Sequence, residues 1–356
     1  MTSRLLYQNE PMGSAEEGDP TRLHEYIASS TWVWLDIVSH ERDEVSALCD
    51  SLELDPMVLE DIYDIELLPK YEDHGDHLYV VMHALISTEE EIDTTEVDCV
   101  IKDNLLITIH SVPLVGLDSL WELAERHPKA VRCTDASMVM ARLAEIIGRR
   151  YLEVIVSIDR HISELNQLAL DLDPAVIFEV QQLRRDESAI RMMLSPQRQL
   201  LAALETDDTP ILSDAARRRF GNAFDVHNQV VESLSTARAL LNDTLDTYRG
   251  ASAEKLNEVT RVLTVYAAIM LPLSIVVGFY GMNFENLPGT GTSWGWIVIT
   301  GLMVVFGIGS WMFFASRGYV GGPSVRSASR RVGKRLLTSA RTEVRPLQLM
   351  RKNTRM

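Results

Sequence analysis

Two long uncharged segments in the C-terminal third limit what this chain can fold into. Residues 262–280 and 294–315 span nineteen and twenty-two positions, and neither contains an acidic or basic side chain. A helix needs roughly 20 apolar residues to cross a bilayer core of about 30 Å. A buried hairpin in a soluble core would have the same composition, but two such segments side by side are rare in soluble proteins. We therefore predict two transmembrane helices.

The charged residues around these segments predict their orientation. Residues 316–356 contain eleven Lys or Arg and one acid, Glu343, whereas the connecting segment contains no Lys or Arg and only Glu285. Basic residues are enriched on the cytoplasmic side of membrane helices. We expect a protein of the cell (plasma or inner) membrane with both termini in the cytoplasm. The chain carries −17 in total and the tail +10, so residues 1–315 carry −27.

Residues 1–134 have the pattern of a cytoplasmic α/β domain. Helix signals are Ser39 as an N-cap and Pro56 in the first turn of the next helix. Strand signals are segments rich in β-branched residues between turn formers, at residues 31–38, 77–86, 96–101 and 104–110. The cysteines have neither zinc nor redox spacing, so we expect reduced, buried thiols at Cys49, Cys99 and Cys133.

Strand patterns end before residue 135, and helical patterns follow. Residues 135–211 form a helical pair, 135–170 and 174–204, with Pro196 expected to kink the second helix. Residues 212–280 contain no strong helix breaker, which predicts one stalk helix, roughly 100 Å long, that continues into the first membrane segment. A stalk of that length suits parallel copies around an axis. The outer loop, second transmembrane helix and basic tail follow at residues 281–293, 294–315 and 316–356.

One face of the predicted stalk helix is small or polar over much of its length. Read every 3.5 residues, this stripe has a single large member, Leu271. Its other members are Asp246, Gly250, Ala253, Asn257, Thr260, Thr264, Ala267, Ser274, Gly278 and Gly281. Small residues let membrane helices pack closely, which is one explanation of the stripe. The other is a pore lining, and this requires an oligomer, because two membrane helices cannot enclose a pore.

The motif that follows the first membrane segment resembles the signature of the CorA-type magnesium transporter family. It consists of Gly281, Met282 and Asn283, preceded by Tyr280. The segments LDPMVLEDIYDIELLPKYEDHGDHLYVVM, NLLITIH and LNEVTRVLTVYAAIMLPLSIVVGFYGMNF resemble further parts of the family, so the resemblance covers most of the chain. It implies an α/β cytoplasmic domain, a long α-helical stalk and two C-terminal transmembrane helices, assembled as a homopentameric funnel-shaped channel.

The resemblance also implies a chemistry for the outer end of the stalk helix. Mg²⁺ gives up its water ligands reluctantly, so a filter does better to hold the hydrated ion. A ring of Asn283 amides, with backbone carbonyls of Gly281 and Met282, would accept hydrogen bonds from that water. The glycine would let the backbone turn there. Glu285 would attract cations to the outer mouth, and Asp246 would do so at the cytoplasmic end of the stripe.

The function implied is passive, channel-like uptake of Mg²⁺ driven by the membrane potential, with Co²⁺ or Ni²⁺ as further candidate ions. Two alternatives stay open: zinc transport, as in relatives that depart from Gly-Met-Asn, and a non-transporting divalent-cation sensor or scaffold. The sequence has no GxxxxGK phosphate loop and no nucleophile–base arrangement, so neither an ATP-driven pump nor an enzyme is expected. The position of the basic tail beside the membrane favours anionic lipids over nucleic acid as its partner.

The family's regulatory metal site is only partly matched. Relatives use two Asp there, and the stalk position of one of them aligns with Asn222, with Asp225 one turn away. Candidate ligands near the other half-site are Glu89, Glu90, Glu91 and Asp93. Sensing is therefore either retained with shifted ligands or lost. Thr260 stands where many relatives carry a gating Met, which removes the side chain that a hydrophobic gate would use there.

Polar residues elsewhere have simpler interpretations. The turn at residues 71–77, YEDHGDH, has the residue types of a metal site, but polar groups in a turn before a strand are usually solvated. His161 and His227 lie on predicted helices, where we expect ordinary interface or surface positions.

Overall fold

The computed structural model of the protein describes residues 2–10, 13–38, 41–64, 68–87, 92–127, 133–282 and 293–320. The chain divides into two units, residues 1–251 and 252–356. The first unit contains a mixed sheet with helices on both faces, and the second contains two apolar helical segments.

Seven strands of the described residues form one sheet. They are β1 Thr2–Gln8, β2 Glu16–Gly18, β3 Trp32–Val38, β4 Lys70–Asp73, β5 His77–Ser87, β6 Ile92–Lys102 and β7 Leu105–His110. Their order is β2-β1-β3-β7-β6-β5-β4. Only β3 and β7 pair in parallel, with Val33 opposite Leu105 and Val38 opposite His110. The other neighbours are antiparallel.

The sequence patterns predict the four central strands, β3, β5, β6 and β7, and miss β1, β2 and β4. The missed strands lie towards the edges of the sheet, where few positions need apolar residues. β2 is three residues long, and β4 has the polar sequence KYED. Such segments carry little of the β-branched signal on which strand prediction rests.

The helices of the first unit cover both faces of this sheet. Helices α1 (Leu23–Ser29), α2 (Arg42–Ser51) and α3 (Pro56–Ile62) precede β4, and α4 (Val115–Arg126) and α5 (Ala136–Leu170) follow β7. Successive strand residues point to opposite faces, so two cores form. One combines Trp34, Val80 and Leu106 with residues of α4 and α5, and the other combines Leu35, Tyr79 and Ile107 with residues of α2 and α3. Burial of free thiols is confirmed at Cys49, Cys99 and Cys133.

The starts of two early helices show one correct and one wrong expectation. Helix α3 begins at Pro56, and the Asp55 carboxylate accepts a hydrogen bond of 2.8 Å from the backbone N–H of Met57. Helix α2 does not begin at Ser39, which lies outside the described residues. Its N-cap is Glu41, and Asp43 and Glu44 place negative charge in its first turn, which the helix dipole favours.

A pair of long helices follows the sheet. Asp135 caps α5, accepting a hydrogen bond of 2.9 Å from the N–H of Met138. The turn after α5 contains Leu172 with φ of 62°, and α6 (Ala175–Thr206) begins beyond it. Pro196 lies inside α6 and does not end it. Both helices therefore occupy the segments predicted for them.

One helix, α7 (Asp214–Tyr280), has 67 residues and runs without a break through Gly250 and Pro272. The last helix is α8 (Gly295–Ser316). Among the described residues, these two helices are long and apolar enough to cross a membrane, and their apolar stretches are almost entirely unburied. That exposure argues against a soluble core hairpin, because a core hairpin would bury the same side chains.

Candidate ion pathway

In the second unit, one face of α7 packs against α8. Val265 and Ile269 are buried, and α8 is the other element described in this unit. The Cδ1 atom of Leu273 lies 4.0 Å from the position that a Cβ on Gly307 of α8 would take. These α7 positions are four residues apart, so they lie on one helix face.

The predicted stripe lies on a different face of α7. Ala267 follows Val265 by two residues, and Leu271 follows Ile269 by two, which rotates each about 200° around the helix. All the predicted lining residues are exposed, and Leu271 is 67% exposed. They are Asp246, Asn257, Thr260, Thr264, Ala267, Leu271, Ser274 and Gly278. Among the residues that the structure describes, none covers this small and polar face.

Two side chains of the stripe make bonds that affect their chemistry. The Thr264 hydroxyl donates to the backbone carbonyl of Thr260 at 2.8 Å, which satisfies its donor and leaves the oxygen free to accept. In the first unit, Asp246 forms an exposed ion pair with Arg249 at 3.2 Å. The acidic ring expected from Asp246 is therefore partly compensated within the same helical turn, although such exposed pairs are weak.

Gly278 and Gly281 differ in whether their surroundings require a glycine. A Cβ on Gly278 would meet no atom within 4 Å, so nothing in the described chain requires a glycine there. A Cβ on Gly281 would lie 3.1 Å from the carbonyl oxygen of Val277, which is tighter than most real contacts. Gly281 does not have a positive φ. Gly281 is therefore a glycine because a side chain would have little room there, and not because the backbone makes the special turn expected from the sequence.

The helix ends where the Gly-Met-Asn motif begins. Tyr280 is the last helical residue, Gly281 N–H donates to the Val277 carbonyl at 2.8 Å, and Met282 N–H donates to the Phe279 carbonyl at 3.4 Å. Met282 is exposed. Asn283 and Glu285, predicted for the filter and the outer mouth, lie outside the described residues.

The candidate regulatory residues that the structure describes do not gather into a metal site. Asn222 and Asp225 are exposed on α7, and Asp93 is exposed near the start of β6. Glu89, Glu90 and Glu91 lie outside the described residues. Over the described ranges, no group of three or more His, Cys, Asp or Glu is arranged to hold a metal ion.

The turn at residues 71–77 is held by its own ion pairs, in line with a structural role. Asp76 contacts His77 Nδ1 at 2.7 Å and Lys102 Nζ at 2.9 Å. The hydrogen bond from Lys102, helped by His77, lowers the pKa of Asp76 to about 2. His74 stacks on His77 with ring centroids 4.7 Å apart.

His227, expected at an interface or at the surface, is fully buried where α7 meets α6 in the first unit. Its Nδ1 contacts the Ala223 carbonyl at 2.8 Å, and its Nε2 contacts the Gln197 amide nitrogen at 2.9 Å. The Gln197 amide oxygen accepts from the His83 backbone N–H at 2.7 Å. This chain of bonds joins α7 to α6 and to β5. A Cβ at Gly148 would approach the His227 ring to 2.7 Å, so the glycine makes room for it.

Two further polar features lie on the helices: His161 and a group of arginines around Glu145. His161 lies at the surface, as expected, and pairs with Glu179 at 2.9 Å. Sequence analysis missed a group of three arginines around Glu145, since Arg219 comes from α7 while Arg142 and Arg149 lie with Glu145 on α5. A sequence signal that could have pointed to the His227 site is Gly148, a glycine within a helix.

Comparison with known proteins agrees with this architecture. The model of the family described as CorA-like Mg²⁺ transporter protein matches residues 29–317. The cobalt/magnesium transport protein CorA of Thermotoga maritima is 26% identical over 293 residues, which cover 81% of this chain and 84% of that protein. The CorA magnesium transporter structure from Methanocaldococcus jannaschii has a TM-score of 0.77 at 22% identity, over 90% of this chain and 99% of that one.

A zinc transporter is a more distant relative. The zinc transport protein ZntB of Pectobacterium atrosepticum is 22% identical over 215 residues, which cover 60% of this chain and 64% of that protein. The family match spans most of the sequence and includes the sheet, α7 and α8. The chain belongs to the family of CorA-like Mg²⁺ transporters.

Proposed function

We propose that copies of α7 surround an axis along which Mg²⁺ enters the cell passively. The observation that carries this proposal is the uncovered stripe on α7, which faces away from α8 although it lies in an apolar segment. Polar groups in a membrane segment are costly unless they face water or protein. Gly278 fits the same view: no described atom lies within 4 Å of a Cβ placed there, and another copy or a column of water would adjoin it. The assembly proposed is a homopentamer, as the family resemblance implies.

Selection of the ion is assigned to the end of α7. A ring of Asn283 amides accepts hydrogen bonds from the water around Mg²⁺, and the carbonyl groups of Gly281 and Met282 add acceptors. Neutral oxygens hold the hydrated ion without the tight binding that carboxylates would give. Glu285 raises the local cation concentration at the outer mouth. Co²⁺ and Ni²⁺, which also carry a tight water shell, are further candidate ions.

The rest of the stripe conducts the hydrated ion. Ser274, Thr264, Thr260 and Asn257 contact ordered water, and Leu271 forms the narrowest, dewetting ring. Ala267 and Gly278 leave space for the water shell, and Asp246 attracts cations at the cytoplasmic end despite its pairing with Arg249. A dication gains roughly 4.6 kcal/mol for each 100 mV of membrane potential, which drives uptake without ATP.

The protein is assigned to the cell membrane with both termini in the cytoplasm. Support comes from the charge asymmetry: eleven Lys or Arg follow the second membrane segment, and none lies between the two segments. The tail then meets the anionic inner leaflet, which makes lipid its partner in place of nucleic acid.

Regulation by intracellular Mg²⁺ is assigned to acids on adjacent copies. Asp225 and Asp93 are exposed and so are available to a neighbouring chain, and Glu89, Glu90 and Glu91 are close to Asp93 in sequence. The large negative charge of residues 1–315 pushes neighbouring copies apart, and bound Mg²⁺ would reduce that repulsion.

The test is ion flux into proteoliposomes loaded with an indicator. Wild-type protein should carry Mg²⁺ in preference to Zn²⁺. Asn283→Ala should reduce Mg²⁺ flux by about tenfold or more, because several hydrogen bonds to the hydrated ion are lost at once. Asn286→Ala, the same change three residues further along the loop, is the matched control and should conduct normally.

Three results would contradict parts of this proposal. Preference for Zn²⁺ would favour zinc transport, the alternative suggested by the more distant relative. Absence of flux for any divalent cation from an intact oligomer would favour a sensor or scaffold. Normal flux in Asn283→Ala would remove that amide from the selection of the ion.

A further inference from the structure

Three guanidinium groups surround one carboxylate in the first unit. Glu145 on α5 is 4% exposed. Its Oε2 accepts hydrogen bonds from Arg142 at 2.7 Å and Arg219 at 3.1 Å, and its Oε1 accepts two from Arg149, at 2.8 and 3.1 Å. Burial by itself would raise the pKa of Glu145, but the hydrogen bonds and charges of the arginines outweigh it and lower the pKa. The carboxylate is therefore ionised, and the group carries a net charge of two positive units.

No second carboxylate compensates this charge in the part of the chain that the structure describes. Arg142, Arg149 and Arg219 each have Glu145 as their single acidic partner within 4.0 Å. The side chains of Arg142 and Arg219 are only 19% exposed, so water screens them poorly. The Nε–H of Arg142 is buried and has no hydrogen-bond partner among the described residues. Partly buried cations with unmade hydrogen bonds are costly, so an anion supplied from outside would stabilise them.

The geometry suits a phosphate group better than other anions. Guanidinium groups bind phosphate through pairs of parallel N–H bonds, which makes arginine the usual side chain for this task. Arg142 and Arg149 are seven residues apart on one face of α5, and Arg219 adds a third group from α7. Glu145 orients all three by fixing one edge of each group. The two excess positive charges of the cluster match an anion that carries several negative charges on neighbouring oxygens.

We propose that Arg142, Arg149 and Arg219 bind a soluble polyphosphate anion, such as the di- or triphosphate group of a nucleotide. Residues 1–315 carry −27, so the domain repels anions at long range. Binding thus depends on direct contacts within the cluster and not on a broad basic surface. Since Arg219 lies on the same helix as the stripe, the site would connect a cytosolic metabolite to the helix that carries the ion pathway.

The experiment is calorimetric titration of the full-length protein in detergent with inorganic tripolyphosphate. EDTA in the buffer removes Mg²⁺, so chelation adds no heat, and KCl keeps the ionic strength constant. Wild-type protein should bind saturably. Arg149→Gln should weaken binding by at least about tenfold, because a charge-assisted hydrogen-bonding group is lost. The Arg149 side chain is 63% exposed, so the substitution leaves the core packing intact.

Arg150→Gln is the matched control. Arg150 is the neighbouring residue on α5, is also exposed, and pairs with Glu153 at 2.8 Å outside the cluster. The affinity of the Arg150→Gln variant for tripolyphosphate should equal that of the wild-type protein. No saturable binding to the wild type, or equal weakening by both substitutions, would overturn the proposal.

Two other results would assign the cluster to a different partner and so also overturn the proposal. If Arg149→Gln dissociates the oligomer and the wild type binds no tripolyphosphate, the arginines contact acids of another copy. If binding occurs only to vesicles that contain phosphate-monoester lipids, the anion is a lipid headgroup and not a soluble one.

Discussion

Acidification should destabilise the first unit through the buried imidazole of His227. In the neutral ring, Nδ1 donates to the Ala223 carbonyl and Nε2 accepts from the Gln197 amide, so both nitrogens are satisfied. A second proton would place a charge in the core and bring two donors face to face. Burial lowers the pKa of His227 from 6.5 to about 4, against a smaller opposite effect of the hydrogen bond to Ala223.

The size of the effect follows from the folded and unfolded pKa values. Between pH 6.5 and about 4 the unfolded chain binds this proton and the folded chain does not, so acid favours unfolding. The stability that the neutral ring contributes is present above pH 6.5 and is lost as the pH falls towards 4. At about 1.36 kcal/mol for each pKa unit, the folded state loses about 2.5 kcal/mol between about pH 8 and pH 4.5.

The buried cysteines provide an assay that reports on this unit alone. The three cysteines of the chain, Cys49, Cys99 and Cys133, all lie in the first unit and are buried. A disulfide reagent that reacts at acidic pH labels them when the unit opens. If closing is faster than labelling, the labelling rate follows the free energy of opening. The ratio of variant to wild-type rates at one pH removes the reagent's own pH dependence.

The variant is His227→Gln, which keeps an amide beside Gln197 and does not titrate. At pH 8 it should label faster than the wild type, because packing and one hydrogen bond are altered. From pH 8 to pH 4.5 the ratio of rates should fall by roughly 70-fold, as the wild type loses its advantage. His161→Gln, a change at an exposed ring, should alter the ratio by less than about threefold. A constant ratio for His227→Gln would refute the reasoning, since the core would then accept the protonated ring.

Two further predictions concern the assembled protein. Millimolar Mg²⁺ should slow proteolysis of the first unit, since ion binding between copies stabilises the closed assembly, and Asp225→Asn should remove much of this protection. Identical digestion patterns with and without Mg²⁺ would mean that this chain has lost metal sensing. Removal of residues 319–356 should weaken binding to anionic vesicles by about 1 kcal/mol at most for each basic residue, while Mg²⁺ flux continues. Loss of flux from an intact oligomer would instead make the tail part of the ion pathway.

The parts of the fold that the sequence predicts are those with a strong local signal. The central strands β3, β5, β6 and β7 bury both faces and are rich in β-branched residues, so they stand out. The end of α7 is predicted at Tyr280, where the structure has it, because the Gly-Met pair and the polar loop follow an apolar run. The stripe is also visible in sequence, since it needs only the helical repeat.

The features that sequence analysis missed depend on residues distant in the chain. His227 lies within the continuous helix α7 and has no local signal of burial, yet Gly148 of α5 opens the space that buries it. Glu145 and Arg219 are 74 positions apart, so their contact has no local signal. One sequence also cannot predict what covers the stripe, because the covering groups would belong to other copies of the chain or to water.

The continuity of α7 has a consequence for how the protein is made. Residues 252–260 are all exposed, and they contain few apolar side chains with which to stabilise a helix of their own. Nucleating a helix is unfavourable, with an equilibrium factor of about 10⁻³, whereas adding residues to an existing helix is nearly free of that cost. Domains generally fold in chain order during synthesis, so the segment of α7 in the first unit can be helical before the rest of the helix exists. The folded first unit then serves as the nucleus from which α7 grows, so the helix has begun before the apolar segment is synthesised.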